Sequence, residues 1–178
     1  MRWFVVGVAL GAAVLYVIYR APADSGTLVA EFVRHTAGAS VRRPGPDVFA
    51  ETDAVVAGQK KRVIAVNEPS RIAWDLEMPG RAWLEVSLAL REDVWSAPGD
   101  GVLFRVGISF DGRYEELVTR VVNPRAVDAD RGWIPVTVDL SPFAGKRASL
   151  IFNTAPGLDG DNRENDQALW GEPRVVIR

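Results

Sequence analysis

The side chains that could do chemistry in this chain are few, and their types limit it before any fold is considered. There is no cysteine and a single histidine, His35. Thiol nucleophiles, thiolate metal sites, Fe–S clusters, disulfides and His-rich zinc sites are therefore all excluded. A Ser-His-Asp triad would have to use His35, and no Gly-x-Ser-x-Gly elbow occurs. His35 is expected to be a solvated or capping residue. Carboxylates are plentiful, and glycoside hydrolysis needs two of them at a fixed separation across a cleft. Asp93, Asp100, Glu115 and Glu116 are available, but their spacing matches turns and strand ends. The chain is expected to be no enzyme.

The densest polar stretch is Gly157-Leu-Asp-Gly-Asp-Asn-Arg-Glu-Asn-Asp166. Asp159, Asp161, Asn165 and Asp166 could offer oxygens of the kind calcium takes. Arg163 falls where an EF-hand loop needs a ligand and the loop's invariant glycine is missing, so a solvated loop of Asx turns is the competing expectation. Tryptophan is the other residue type with binding potential, because an indole face stacks on apolar surfaces. Five of the six tryptophans follow residue 70. Trp95, in the Glu92–Pro98 loop, is the expected exposed platform for a ligand, with Asp100 beside it; Trp74, Trp83 and Trp133 are expected to pack on or beside a sheet.

These residues must be positioned by strands. From Phe49 onward apolar residues alternate: Leu84, Val86, Leu88 and Leu90; Val102, Phe104, Val106, Ile108 and Phe110; Ile134, Val136, Val138 and Leu140; and again over 148–154. Each run is bounded by turn residues, such as Pro79-Gly80, Asp111-Gly112 and Ala144-Gly145. Eight or nine short strands over 48–178 predict an all-β, jelly-roll-type sandwich.

The N-terminal part reads differently. Trp3 to Tyr19 is a run of 17 uncharged residues between Arg2 and Arg20. As a helix it would span about 25 Å, the short end of what crosses a bilayer. It also exceeds the apolar core of a signal peptide, typically about 7–15 residues, although Ala21-Pro22-Ala23 has the pattern of a cleavage site. A single transmembrane helix over 1–20 is expected, acting as a signal anchor. Gly7 and Gly11 make a small-residue face for packing against a neighbouring helix. Residues 21–47 are expected to form a connector, where Leu28, Val29, Phe32 and Val33 have the spacing of a short amphipathic helix.

Several spaced motifs carry a resemblance. They are Ser70-Arg71-Ile72-Ala73-Trp74 with the Leu84-x-Val86-x-Leu88 strand, and Trp95…Gly99-Asp100-Gly101-Val102-x-Phe104-Arg105-Val106. Trp133…Val138-Asp139-Leu140-Ser141-x-Phe143-Ala144-Gly145 and Ala168-x-Trp170-Gly171-Glu172-Pro173-Arg174 follow. Over residues 50–178 the chain resembles bacterial extracytoplasmic modules of the galactose-binding-like, carbohydrate-binding jelly-roll type. The resemblance implies a non-catalytic domain that binds glycans or other proteins.

Net charge is -2 with acids and bases mixed, so no nucleic-acid partner is expected. The sequence taken alone favours an accessory subunit of a larger membrane complex, held in the bacterial cytoplasmic membrane with its domain on the periplasmic side. Other membrane subunits would then be its partners. A glycan-binding module of the cell envelope is the alternative. No cofactor beyond calcium is implied.

Overall fold

A computed structural model describes residues 26–67, 69–157 and 162–178. The alternating runs become eleven antiparallel strands in two sheets among these residues. The first sheet orders β3 (Ala50–Val56), β4 (Gln59–Val66), β11 (Ala168–Ile177), β6 (Ala82–Leu90) and β9 (Ile134–Asp139). In it β1 (Thr27–Glu31) also pairs with β11. The second sheet orders β2 (Val41–Arg43), β5 (Ser70–Glu77), β10 (Arg147–Pro156), β7 (Val102–Phe110) and β8 (Arg113–Val122). The two inner faces close on one core, so this is an all-β sandwich.

The expected alternation sets the facing of each strand. Leu84, Val86, Leu88 and Leu90 are buried on β6, as are Val102, Phe104, Val106 and Ile108 on β7. The β7–β8 hairpin turns on Asp111 and Gly112, both at positive φ (49° and 71°). That is the geometry a two-residue hairpin needs to match the strand twist, and Asp-Gly supplies it at low cost.

The core is organised by stacked aromatic rings. Phe152 lies 5.6 Å from Trp74 and 5.0 Å from Trp170, nearly perpendicular to both. Phe104 meets Trp170 edge-on at 4.9 Å, and Phe32 meets Trp74 at 4.7 Å. Edge-to-face contacts of this kind add roughly 0.5–1.5 kcal/mol each beyond burial. The Trp74 indole N–H donates to the backbone oxygen of His35 at 3.0 Å. The histidine thus contributes through its main chain.

The segment expected to be a short helix is a strand instead. Thr27–Glu31 pairs with Arg174–Ile177 of β11. Beyond it Phe32 and Val33 are buried in the core, and Leu28 and Val29 stay exposed. An isolated five-residue helix pays the full nucleation cost, whereas this backbone completes an open stretch of sheet edge. That edge exists because β11 changes neighbours. Its first half, Ala168–Gly171, pairs with β4, and its second half pairs with β1. Between them β11 bulges against β6, with Glu172 at φ 48° and Pro173, which has no N–H to give a ladder, at the bulge. The Pro173 carbonyl accepts the Phe32 N–H at 2.9 Å, tying the end of β1 to the bulge. Part of the 21–47 stretch thus belongs to the sandwich itself.

Residues 1–20, with Gly7 and Gly11, lie outside the described residues. Among the described residues no helix is long and apolar enough to cross a membrane.

Phe152 is 1% exposed and touches three other aromatic rings. Phe152→Ala is expected to cost about 3–5 kcal/mol, read as a lower denaturation midpoint in urea with the slope unchanged.

Candidate functional site

The outer face of the first sheet departs from the usual polar exterior of a sandwich. Register places Ala50, Thr52 and Ala54 of β3 opposite Ala65, Val63 and Lys61 of β4, and Leu169 of β11 beside Ala65. These positions alternate with the core-facing Ile64, Val66, Ala168 and Trp170 and so point away from the core. Val56, Val63, Ala89 and Leu169 nevertheless form a second buried cluster there, at most 1% exposed. Trp95 and Trp133 pack against it, each pinned by its indole N–H. Trp95 donates to the Leu90 oxygen at 3.1 Å and Trp133 to the Gln59 oxygen at 2.9 Å.

Trp133 reaches its place because β11 carries glycine beneath it. A Cβ on Gly171 would stand 2.8 Å from ring carbon Cζ3 and 3.2 Å from Lys61 Cδ. Lys61 in turn lies 5.9 Å from the indole centroid and 2.8 Å from the Glu172 carboxylate.

Beside this seam opens a cleft of about 820 Å³, within the range of small-ligand sites. Its floor is small and apolar (Ala50, Ala54, Ala65 and Leu169), and its rim is polar, with Asp47, Thr52, Asp53, Asn67, Arg91, Glu92 and Asp93. One wall is the single 3-10 turn Glu92–Val94 that follows β6. The Glu92 carboxylate accepts the N–H of Ala57, fixing that turn to the β3–β4 hairpin. Ala57 holds φ 49°, an uncommon conformation for alanine. Arg91 and Asp93 form an ion pair at 2.6 Å, and Lys60 meets Asp53 at 2.9 Å. Asp53 alternates with Thr52 and Ala54, so its carboxylate turns to the opposite face of β3, where the Lys60 hydrogen bond holds it below its ordinary range. The arrangement offers hydrogen-bond donors and acceptors around an apolar floor, which is the chemistry of a binding site.

The residues singled out from the sequence lie elsewhere. Trp95 is half-buried between the two apolar clusters, so it is a structural wedge and not an open platform. Asp100 is buried at the end of the sandwich, where its carbonyl accepts from the Asn123 amide at 3.0 Å. The depression there, lined by Gly99, Asn123 and Asn165 among others, has room for only about 10 Å³, roughly one water. Asn165, at φ 62°, donates its amide to the Pro98 oxygen at 2.7 Å. Asp159 and Asp161 lie outside the described residues. Among the described residues no three or more His, Asp or Glu side chains gather as a metal site. Asp166 is buried, and one of its carboxylate oxygens has no hydrogen-bond partner.

The cleft itself escaped the sequence reading. Its trace is the small-residue alternation Ala50-x-Thr52-x-Ala54-x-Val56 set against Val63-x-Ala65, which marks a second apolar face on one hairpin.

No known family profile matches the chain. An uncharacterized protein of Archaeoglobus fulgidus is 38% identical over 122 residues. That match covers 67% of this chain and 28% of the archaeal protein, so the chain spans about a quarter of that relative. Among solved structures, the CBM51 module of Clostridium perfringens GH95, in complex with methyl-galactose, superposes with a TM-score of 0.53 at 16% identity. The superposition covers 83% of this chain and 99% of that one. The tandem CBM51 modules of a family 98 glycoside hydrolase from Streptococcus pneumoniae reach a TM-score of 0.49 at 12% identity, over 76% of this chain and 39% of theirs. The domain thus shares the jelly-roll sandwich fold of the CBM51 module from Clostridium perfringens GH95, the fold that the spaced motifs implied.

Burial and then the neighbouring Asp100 carboxylate push the Asp166 carboxyl up from 3.8 to about 6, with Arg163 opposing. The folded state therefore binds a proton that the unfolded chain has released. This group's contribution to stability is intact below about pH 4 and declines as pH rises through about 6. Asp166→Asn is expected to flatten that dependence and raise the melting temperature at pH 7 relative to wild type, measured by thermal denaturation across pH 4–8.

Proposed function

We propose that this chain is a non-catalytic glycan-binding module whose ligand lies in the cleft on the outer face of the first sheet. The observation that carries the reading is the cleft's build. Small side chains leave room for a sugar's C–H surface, and Arg91, Asn67 and the carboxylates around it can meet ring hydroxyls. Sugars are recognised by this combination of apolar contact and convergent hydrogen bonds, because each hydroxyl is at once donor and acceptor. Two findings support a binding role over a catalytic one. The rim carboxylate Asp93 is engaged by Arg91, and the fold is that of a module solved with a galactoside.

The glycan reading takes precedence over the accessory-subunit reading, because it rests on a described cleft. The helix face of Gly7 and Gly11, on which the subunit reading rests, lies outside the described residues.

The test is isothermal titration of the full chain with galactosides and with neutral envelope polysaccharides. Binding is expected for the wild type. Arg91→Ala or Asn67→Ala, both at exposed positions, is expected to weaken it about tenfold, equivalent to roughly 1.4 kcal/mol, with an unchanged melting temperature. Absence of binding to every glycan tried would overturn the reading.

A further inference from the structure

We infer that Trp133, Lys61 and Glu172 form a second sugar subsite beside the cleft, so that the module grips a run of a glycan chain rather than a single terminal sugar. This rests on the glycan-binding reading and extends it. Trp133 lies against the sheet on the glycine of β11, where any Cβ would strike its ring at 2.8 Å. With its indole N–H already given to the Gln59 oxygen at 2.9 Å, the ring's orientation is set before a ligand arrives. The indole is half-buried with Lys61 Nζ over its ring, and the part of the ring left open suits the C–H surface of a pyranose.

Its surroundings supply the polar half of such a site. Lys61 Nζ stands 5.9 Å from the ring centroid and 2.8 Å from the Glu172 carboxylate. The pair offers ammonium donors and carboxylate acceptors beside the open part of the ring, a match to vicinal hydroxyls. Glu172 is held there by a left-handed backbone (φ 48°) at the bulge of β11. Strained non-glycine residues of this kind persist where the surrounding structure over-determines them, and they cluster at functional sites.

The two subsites are continuous. Leu169 floors the cleft, and Gly171 under the indole is two residues farther along the same strand, a step of about 7 Å. Trp133 and the cleft residues Ala54 and Ala65 also pack on the same buried cluster. An oligosaccharide of a few residues reaches from one to the other.

The experiment is calorimetric titration of the full chain with oligosaccharides of increasing length cut from a polysaccharide it binds. Affinity is expected to rise at least tenfold between the shortest ligand and the longer ones. Trp133→Ala and Glu172→Gln are each expected to remove that gain while leaving the shortest ligand's affinity within twofold. Because Trp133→Ala strips cover from the buried cluster, melting curves accompany it, and Glu172→Gln keeps the test valid should that variant unfold. Affinity independent of chain length, or a length gain that survives Glu172→Gln and a folded Trp133→Ala, overturns the second subsite and leaves the cleft standing. A wild type that binds no glycan overturns both.

Discussion

The structure depends on the central strand β11 and on the bulge that interrupts it. An antiparallel strand inside a sheet must satisfy hydrogen bonds on both edges, and β11 does so with β6 on one side and two partners on the other. Pro173 cannot donate and Glu172 adopts a left-handed backbone, so the ladder breaks there. The break is where β4 gives way to β1. It also brings in Phe32, whose N–H meets the Pro173 carbonyl and whose ring joins the core stack against Trp74. One local irregularity thus sets the strand order at this edge and fills the adjoining core.

The same strand serves both of its faces. Inward it carries Trp170, which bridges Phe104 and Phe152 at 4.9 and 5.0 Å. Outward it carries Leu169 and Gly171, small enough for the face to be covered by two indoles rather than by water. Burying apolar groups on an outer face leaves the sheet needing cover, and Trp95 and Trp133 provide it from loops on either side of β7 and β8. Because both indole N–H groups find backbone oxygens, that cover is held in one geometry. The cleft is what remains of the face beyond the indoles, walled by the Glu92–Val94 turn.

The loop end of the sandwich shows the opposite economy. Asp100 and Asp166 are both buried there, close enough for one charge to raise the pKa of the other, and the remaining space is near the size of a water. With its pKa raised, Asp166 opposes stability at neutral pH. The polarity of the two carboxylates, conspicuous in the sequence, marks a tightly packed corner rather than an open surface.

Much of the fold was legible because its signals are local. Alternation in Leu84–Leu90 and Val102–Ile108 specifies a strand and its buried face whatever its partner is, and Asp111-Gly112 specifies a tight turn by backbone sterics alone. Absence of cysteine and the single histidine limited the available chemistry in the same direct way. What only the tertiary structure decided concerns pairing between distant residues. Leu28, Val29, Phe32 and Val33 have helical spacing, yet Thr27–Glu31 is a strand because an edge of β11, nearly 150 positions later, lies open to it. Trp95 reads as a loop residue and is a wedge, since two clusters built from strands β3 to β11 close around it. The cleft is assembled from β3, β4, β11 and the turn after β6, which only tertiary register brings together. Strand register and the neighbours across a sheet are non-local quantities, and they determined where the outer-face cleft lies.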